Sequence, residues 1–143
     1  MKRISFFLVL MCIATSSYAR LGSPVVNLPA NGLIAHAPAT PFQVPLAGLL
    51  GGTVYRVNCL ITNSNHEPVV LSFSYSDEVN VVDPYLLNGK SLAYGQGVLD
   101  ADDSSTVSTV VNTGDKVDGA LLFRNLDFDY NVKVDKCVAS PVV

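Results

Sequence analysis

Thr53-Val54-Tyr55-Arg56-Val57-Asn58-Cys59-Leu60-Ile61-Thr62 is the stretch from which the fold can be read. Tyr55, Val57, Cys59 and Ile61 fall on one side of it, and Arg56, Asn58 and Thr62 on the other with Val54 and Leu60. A period of two is that of a β-strand, whose successive side chains point to opposite faces, and here one face is suited to burial. Val69, Leu71, Phe73 and Tyr75 repeat the pattern within 68–76, opposite Ser72, Ser74 and Ser76. The linker Asn63-Ser64-Asn65-His66-Glu67 is turn chemistry, so these two strands are expected to pair as a hairpin.

Short β-like runs continue towards the C-terminus. Glu78 to Val82 is ended by Asp83-Pro84 and followed by Tyr85-Leu86-Leu87; Asn88-Gly89 is a strong tight-turn signal ahead of Ser91 to Tyr94. Gly95-Gln96-Gly97 breaks the chain, and 100–105 forms a polar loop before the β-branched run Thr106 to Asn112. After a turn at Thr113-Gly114-Asp115 come Gly119 to Asn125 and then Phe128 to Val138, where Phe128, Tyr130, Val132 and Val134 are expected to face the core. Six to eight short strands with no helical period predict an all-β sandwich or barrel, and the sandwich is the reading taken. Arg20 to Gly52 holds five of the eight prolines, which remove backbone donors, so it reads as a Pro/Gly-rich leader with an edge strand ahead of a sandwich core at 53–143.

The first nineteen residues read differently. Lys2 and Arg3 precede the apolar run Ile4 to Ala14, and Ser17-Tyr18-Ala19 places small residues at −3 and −1 of a signal-peptidase site before Arg20. Residues 1–19 are therefore expected to be a signal peptide of bacterial type. Lipidation at Cys12 is the weaker alternative, because Met11 stands where a small residue belongs and the apolar run continues past it. Export leaves Cys59 and Cys137, an even pair in an oxidising compartment, and a disulfide between them is the expectation. Such a bridge between an early strand and the last resembles the inter-sheet disulfide of immunoglobulin-like domains. The resemblance implies an immunoglobulin-like antiparallel sandwich of about seven strands. The chain departs from it in having no tryptophan and in carrying Asp135, not tyrosine, two residues before Cys137.

Composition narrows the function. Hydrophobic residues make up 49% of the 143 and charged residues 15%, with a mean hydropathy of +0.36, too apolar for a disordered chain. Ile4 to Ala14 is the longest uncharged apolar run, short of the roughly 18 to 20 residues a membrane-spanning helix needs. Without residues 1–19 seven basic residues face twelve acidic ones, a net charge of −5, so no nucleic-acid partner is expected. His36 and His66 are the only histidines, and no GxSxG or HExxH accompanies them. A copper site of the cupredoxin kind would need a methionine, and Met1 and Met11 leave with the signal. No enzymatic activity and no cofactor are expected.

Two sets of residues remain as candidates. Asp100, Asp102 and Asp103 share a loop that offers hard oxygen ligands, a weak Ca²⁺ candidate that lacks the glycine and glutamate of an EF-hand. Tyr85, Asn88 and Tyr94 flank or form the tight turn, and with the Asp100 loop they make the expected binding loops, since loops on a rigid sandwich commonly carry recognition. Tyr55, Tyr75 and Tyr130 are expected in the core, and Asp127 and Asp129 on a solvated strand face. The expected function is an exported binding or interaction module for a protein or glycan ligand, secreted or periplasmic. The alternative is a structural subunit of a surface assembly whose segments 25–28 and 33–35 add as a strand to a neighbour. Chaperone-assembled pilins resemble the chain in size, export signal and single disulfide, but their cysteines lie close together. A small hydrolase or inhibitor has no residue set to support it.

Overall fold

The computed structural model describes residues 24–114 and 118–142. The signal expected at 1–19, its cleavage site and Asp115 of the expected turn lie outside these residues. Eleven strands are found among them: β1 (Val26–Leu28), β2 (Gly32–Ile34), β3 (Phe42–Pro45), β4 (Val54–Asn63), β5 (Val69–Tyr75), β6 (Asn80–Leu87), β7 (Lys90–Ser91), β8 (Gln96–Leu99), β9 (Asp103–Asn112), β10 (Ala120–Asn125) and β11 (Val132–Pro141). They form two antiparallel sheets in a sandwich-like arrangement, one ordered β1-β11-β4-β9-β6-β7 with β2 also on β11, the other β3-β10-β5-β8. The count exceeds the expected seven because residues 24–52 contribute three strands and β7 and β8 are short.

Those three strands close edges of the sandwich. β1 and β2 lie end to end along the outer edge of β11, pairing Leu28 with Cys137 and Ile34 with Val132, and β3 pairs with β10. Leu28, Ala30, Ile34, Val44, Leu46 and Leu49 are buried, so the core draws on this segment as fully as on 53–142. Of the prolines here only Pro45 lies in a strand, the edge strand β3, where a missing donor can leave no ladder bond unmade, and Pro24, Pro29, Pro38 and Pro41 lie in the connections. From the first sheet Tyr55, Val57, Ile61 and Val107 face Leu71, Phe73, Leu121 and Phe123 of the second, the interdigitated layer that joins the sheets of a sandwich.

Cys59 and Cys137 are bonded, as expected, but the bond does not join the two sheets. It links residues directly opposite in the adjacent strands β4 and β11, with Cα atoms 4.1 Å apart. The cause is a bulge. Val132 and Val134 face inward, and by simple alternation Cys137 would then point outward; the register shift between Val134 and Lys136 inserts one residue and turns Cys137 and Ala139 back to the core.

The expected hairpin between β4 and β5 does not form. Both edges of β4 are taken, by β11 and β9, and its chain crosses to the other sheet, where β5 pairs with β10 and β8. Buried Asn63, the last residue of β4, holds the crossing together. Its amide nitrogen donates to the carbonyls of Glu67 at 2.9 Å, Asp100 at 3.2 Å and Leu99 at 3.3 Å, and its oxygen accepts from the Asn65 N–H at 3.0 Å. Buried Asn125 ends β10 in the same way, donating to Tyr130 O and Ile34 O and accepting from the Asp127 N–H. These Asx turns satisfy backbone groups that would otherwise be buried without partners. β11 also starts later than expected. Phe128 lies ahead of it, 72% exposed, in a turn where the Asp127 carboxylate accepts from the N–H groups of Asp129 and Tyr130.

A candidate ligand cleft between two strand edges

β5 outruns its neighbour. The β5–β8 ladder stops at Ser72 opposite Gln96, whereas pairing with β10 continues to Tyr75, so one edge of Phe73–Tyr75 carries no strand. In the other sheet β7 covers β6 only at Leu86 and Leu87, leaving the Asn80–Tyr85 edge unpaired with any strand. A cleft of about 460 Å³ lies between these two edges, within the range of small-ligand sites. Phe73 and Tyr85 line its floor, packed at 5.5 Å between ring centroids, and behind them buried Phe123 meets Phe73 edge-on at 5.1 Å. The walls are Tyr75, Val82, Pro84 and Tyr94, and Asp83 supplies a carboxylate.

The local sequence builds this opening. β6 has two register shifts, between Val81 and Asp83 and between Asp83 and Leu86, and the second spans Pro84, which cannot donate to the ladder. On the opposite side the Gln96 N–H donates to the Ala93 carbonyl and closes a tight turn over Ala93–Gly95. Gly95 at φ +70° passes so close to β5 that an added Cβ would stand 2.8 Å from the Phe73 carbonyl oxygen. Tyr94 before it also lies in the left-handed region, at φ 56°, with 98% of its surface exposed. Asn88 and Asp102 are the other non-glycine residues with positive φ among those described, and both types adopt it readily; an aromatic residue there is strained.

The candidate residues of the sequence separate into three places. Tyr85 is not on a loop: it is buried in β6, and its hydroxyl donates to Ser74 O at 2.8 Å. Burial, with the Tyr75 phenol adding to it, raises its pKa well above the ordinary tyrosine value and keeps the hydroxyl protonated. Asn88 forms the expected tight turn with Gly89 and commits its side chain to β9, accepting from the Thr106 N–H at 2.9 Å and donating to Ser105 Oγ at 3.3 Å. Asp100, Asp102 and Asp103 are exposed at the opposite end of the strands. Asp102 pairs with His66 Nδ1 at 2.9 Å, raising the His66 pKa, and Asp103 accepts from the Ser104 N–H. Among the described residues no three His, Cys, Asp or Glu side chains gather as metal ligands.

Only Tyr94 of the expected set is an exposed part of the cleft. Tyr75, expected in the core, is 46% exposed because it ends β5 beyond the cover of β8. Asp83 and Val82 are not among the residues expected at a site; the signal that could have found them is the Asp-Pro pair interrupting an apolar run. The class thus defined is a disulfide-bonded, two-sheet antiparallel β-sandwich with an aromatic cleft at one side. No protein-family profile matches the chain, and neither the curated proteins nor the solved structures give a significant match.

Proposed function

We propose that the chain is an exported, non-catalytic binding module whose ligand sits in the cleft between β5 and β6. The observation that carries the reading is Tyr94: a large side chain held in strained backbone and left in water contributes little to the fold, and strain kept at an exposed cleft is the pattern of a binding site. The disulfide and the signal-like residues 1–19 support export to the periplasm or beyond. No helix among the described residues is long and apolar enough to cross a membrane. Strand donation by 25–28 and 33–35 would require β1 and β2 to leave β11, so the interaction-module reading is preferred.

Expression with its own N-terminal residues in a bacterium tests export. The recovered protein is expected to begin at Arg20 and to be two hydrogens lighter than its reduced form; an uncleaved, reduced chain in the cytosol refutes the reading. Binding is tested by thermal shift against saccharides, short peptides and small organic cations, where stabilisation should disappear in Tyr94→Asn.

A further inference from the structure

From the same cleft, and resting on the binding-module reading, we infer that the ligand is an uncharged carbohydrate, bound with a pyranose face against Tyr94 and its hydroxyls towards Asp83. A pyranose ring has one apolar C–H face and a rim of hydroxyl donors. The cleft offers the complement: tyrosine rings exposed at Tyr94 and Tyr75, the Val82 side chain, and a carboxylate at Asp83 that takes hydroxyl donors in charge-assisted bonds.

Competing ligand chemistries fit less well. An anion would meet Asp83 on a protein of net negative charge. A quaternary ammonium is held by rings that enclose it, whereas the exposed rings of this cleft, Tyr94 at 98% and Tyr75 at 46%, leave it open to water. An extended peptide adding to the β6 edge would meet Pro84, which has no N–H, and the two register shifts around Asp83, features that block edge pairing. A wholly apolar ligand would strip water from Asp83 and return no hydrogen bond.

Tyr94→Asn is the informative variant. Asparagine tolerates left-handed backbone, so the turn should hold and the unfolding midpoint should stay unchanged or rise while the stacking ring is lost. The oxidised protein, ¹⁵N-labelled, is titrated with hexasaccharides of glucose, N-acetylglucosamine, mannose and galactose, with choline and decaproline as competing chemistries. At least one hexasaccharide is expected to shift amides of 73–75, of Val82, Asp83 and Tyr85, and of 92–95, with affinity falling about tenfold in Tyr94→Asn and again in Asp83→Asn. Saccharide shifts confined to 100–103, or unaffected by Tyr94→Asn, overturn the carbohydrate assignment. So does Tyr94-dependent binding of choline or decaproline alone, which leaves the binding-module reading standing. Silence of every probe removes both.

Discussion

Replacing Asn63 by aspartate tests the account of the β4–β5 crossing with almost no change of shape. The acceptor oxygen that receives the Asn65 N–H is kept, while the amide that donates to the carbonyls of Glu67, Leu99 and Asp100 becomes a second oxygen. At pH 4 a protonated carboxyl still donates one hydrogen bond, so the loss is that of one buried donor, about 1 to 2 kcal/mol. At pH 7 the carboxylate would face three carbonyl oxygens in a fully buried site, and the group instead holds its proton. If its folded pKa rises about 3 units above the unfolded value near 3.9, stability falls by roughly a further 3 kcal/mol between pH 4 and pH 7. The sign follows from linkage: an acid with a raised folded pKa leaves stability intact below the unfolded value, and stability is lost as pH rises through the window between the two. Urea denaturation of oxidised wild type and Asn63→Asp at pH 4 and pH 7 measures the difference. A penalty equal at both pH values, or below about 1 kcal/mol at pH 7, refutes the assignment of Asn63 as the obligatory donor.

Cys59→Ala/Cys137→Ala removes a cross-link spanning 78 positions, and on the chain-entropy model the unfolding free energy should drop by about 4.5 kcal/mol; a drop under about 1 kcal/mol would contradict it. Gly95→Ala places a Cβ against the Phe73 carbonyl at φ +70°, and should cost about 1 to 3 kcal/mol with amide shifts centred on 73–75; an unperturbed variant would show that the turn does not press on β5. His66 should titrate above 6.5 by NMR and return towards that value in Asp102→Asn, because the hydrogen bond and charge of Asp102 favour the imidazolium. Its ion pair therefore stabilises the fold below pH 6.5 and is lost as pH rises through the shifted value. An unshifted His66 would remove the pair.

What the sequence discloses, and what it withholds, follows from the physics of strands. Periodicity shows which face of a strand is buried, so the alternation in 53–62 is enough to place Tyr55, Val57, Cys59 and Ile61 inside, where they lie. It says nothing about which strand lies on either edge, because hydrogen-bonded edges involve backbone that every residue shares. Hence the turn-rich 63–67 is legible as a reversal but not as a passage between sheets. The bulge beside Asp135 similarly has no compositional mark; it surfaces only in the need to turn Cys137 towards Cys59. The prolines of 24–52 mark mostly the connections around β1, β2 and β3, and burial of Ile34 and Val44 depends on long-range partners at 132 and 121. For the cleft, Tyr94 is readable as an exposed aromatic beside glycine, whereas exposure of Tyr75 depends on β8 stopping at Gln96, a difference in strand lengths.

The placement of the Cys59–Cys137 bond also sets how far the molecule yields to tension. Pulled between residues 24 and 142, a reduced chain would extend to roughly 400 Å, but with the bond intact the segment between the cysteines carries no load and the limit is roughly 140 Å. Under force, β1, β2, β3, the first half of β4 and the last half of β11 are the parts that can unravel, and the strands flanking the β5–β6 cleft, all within the closed loop, stay off the load path.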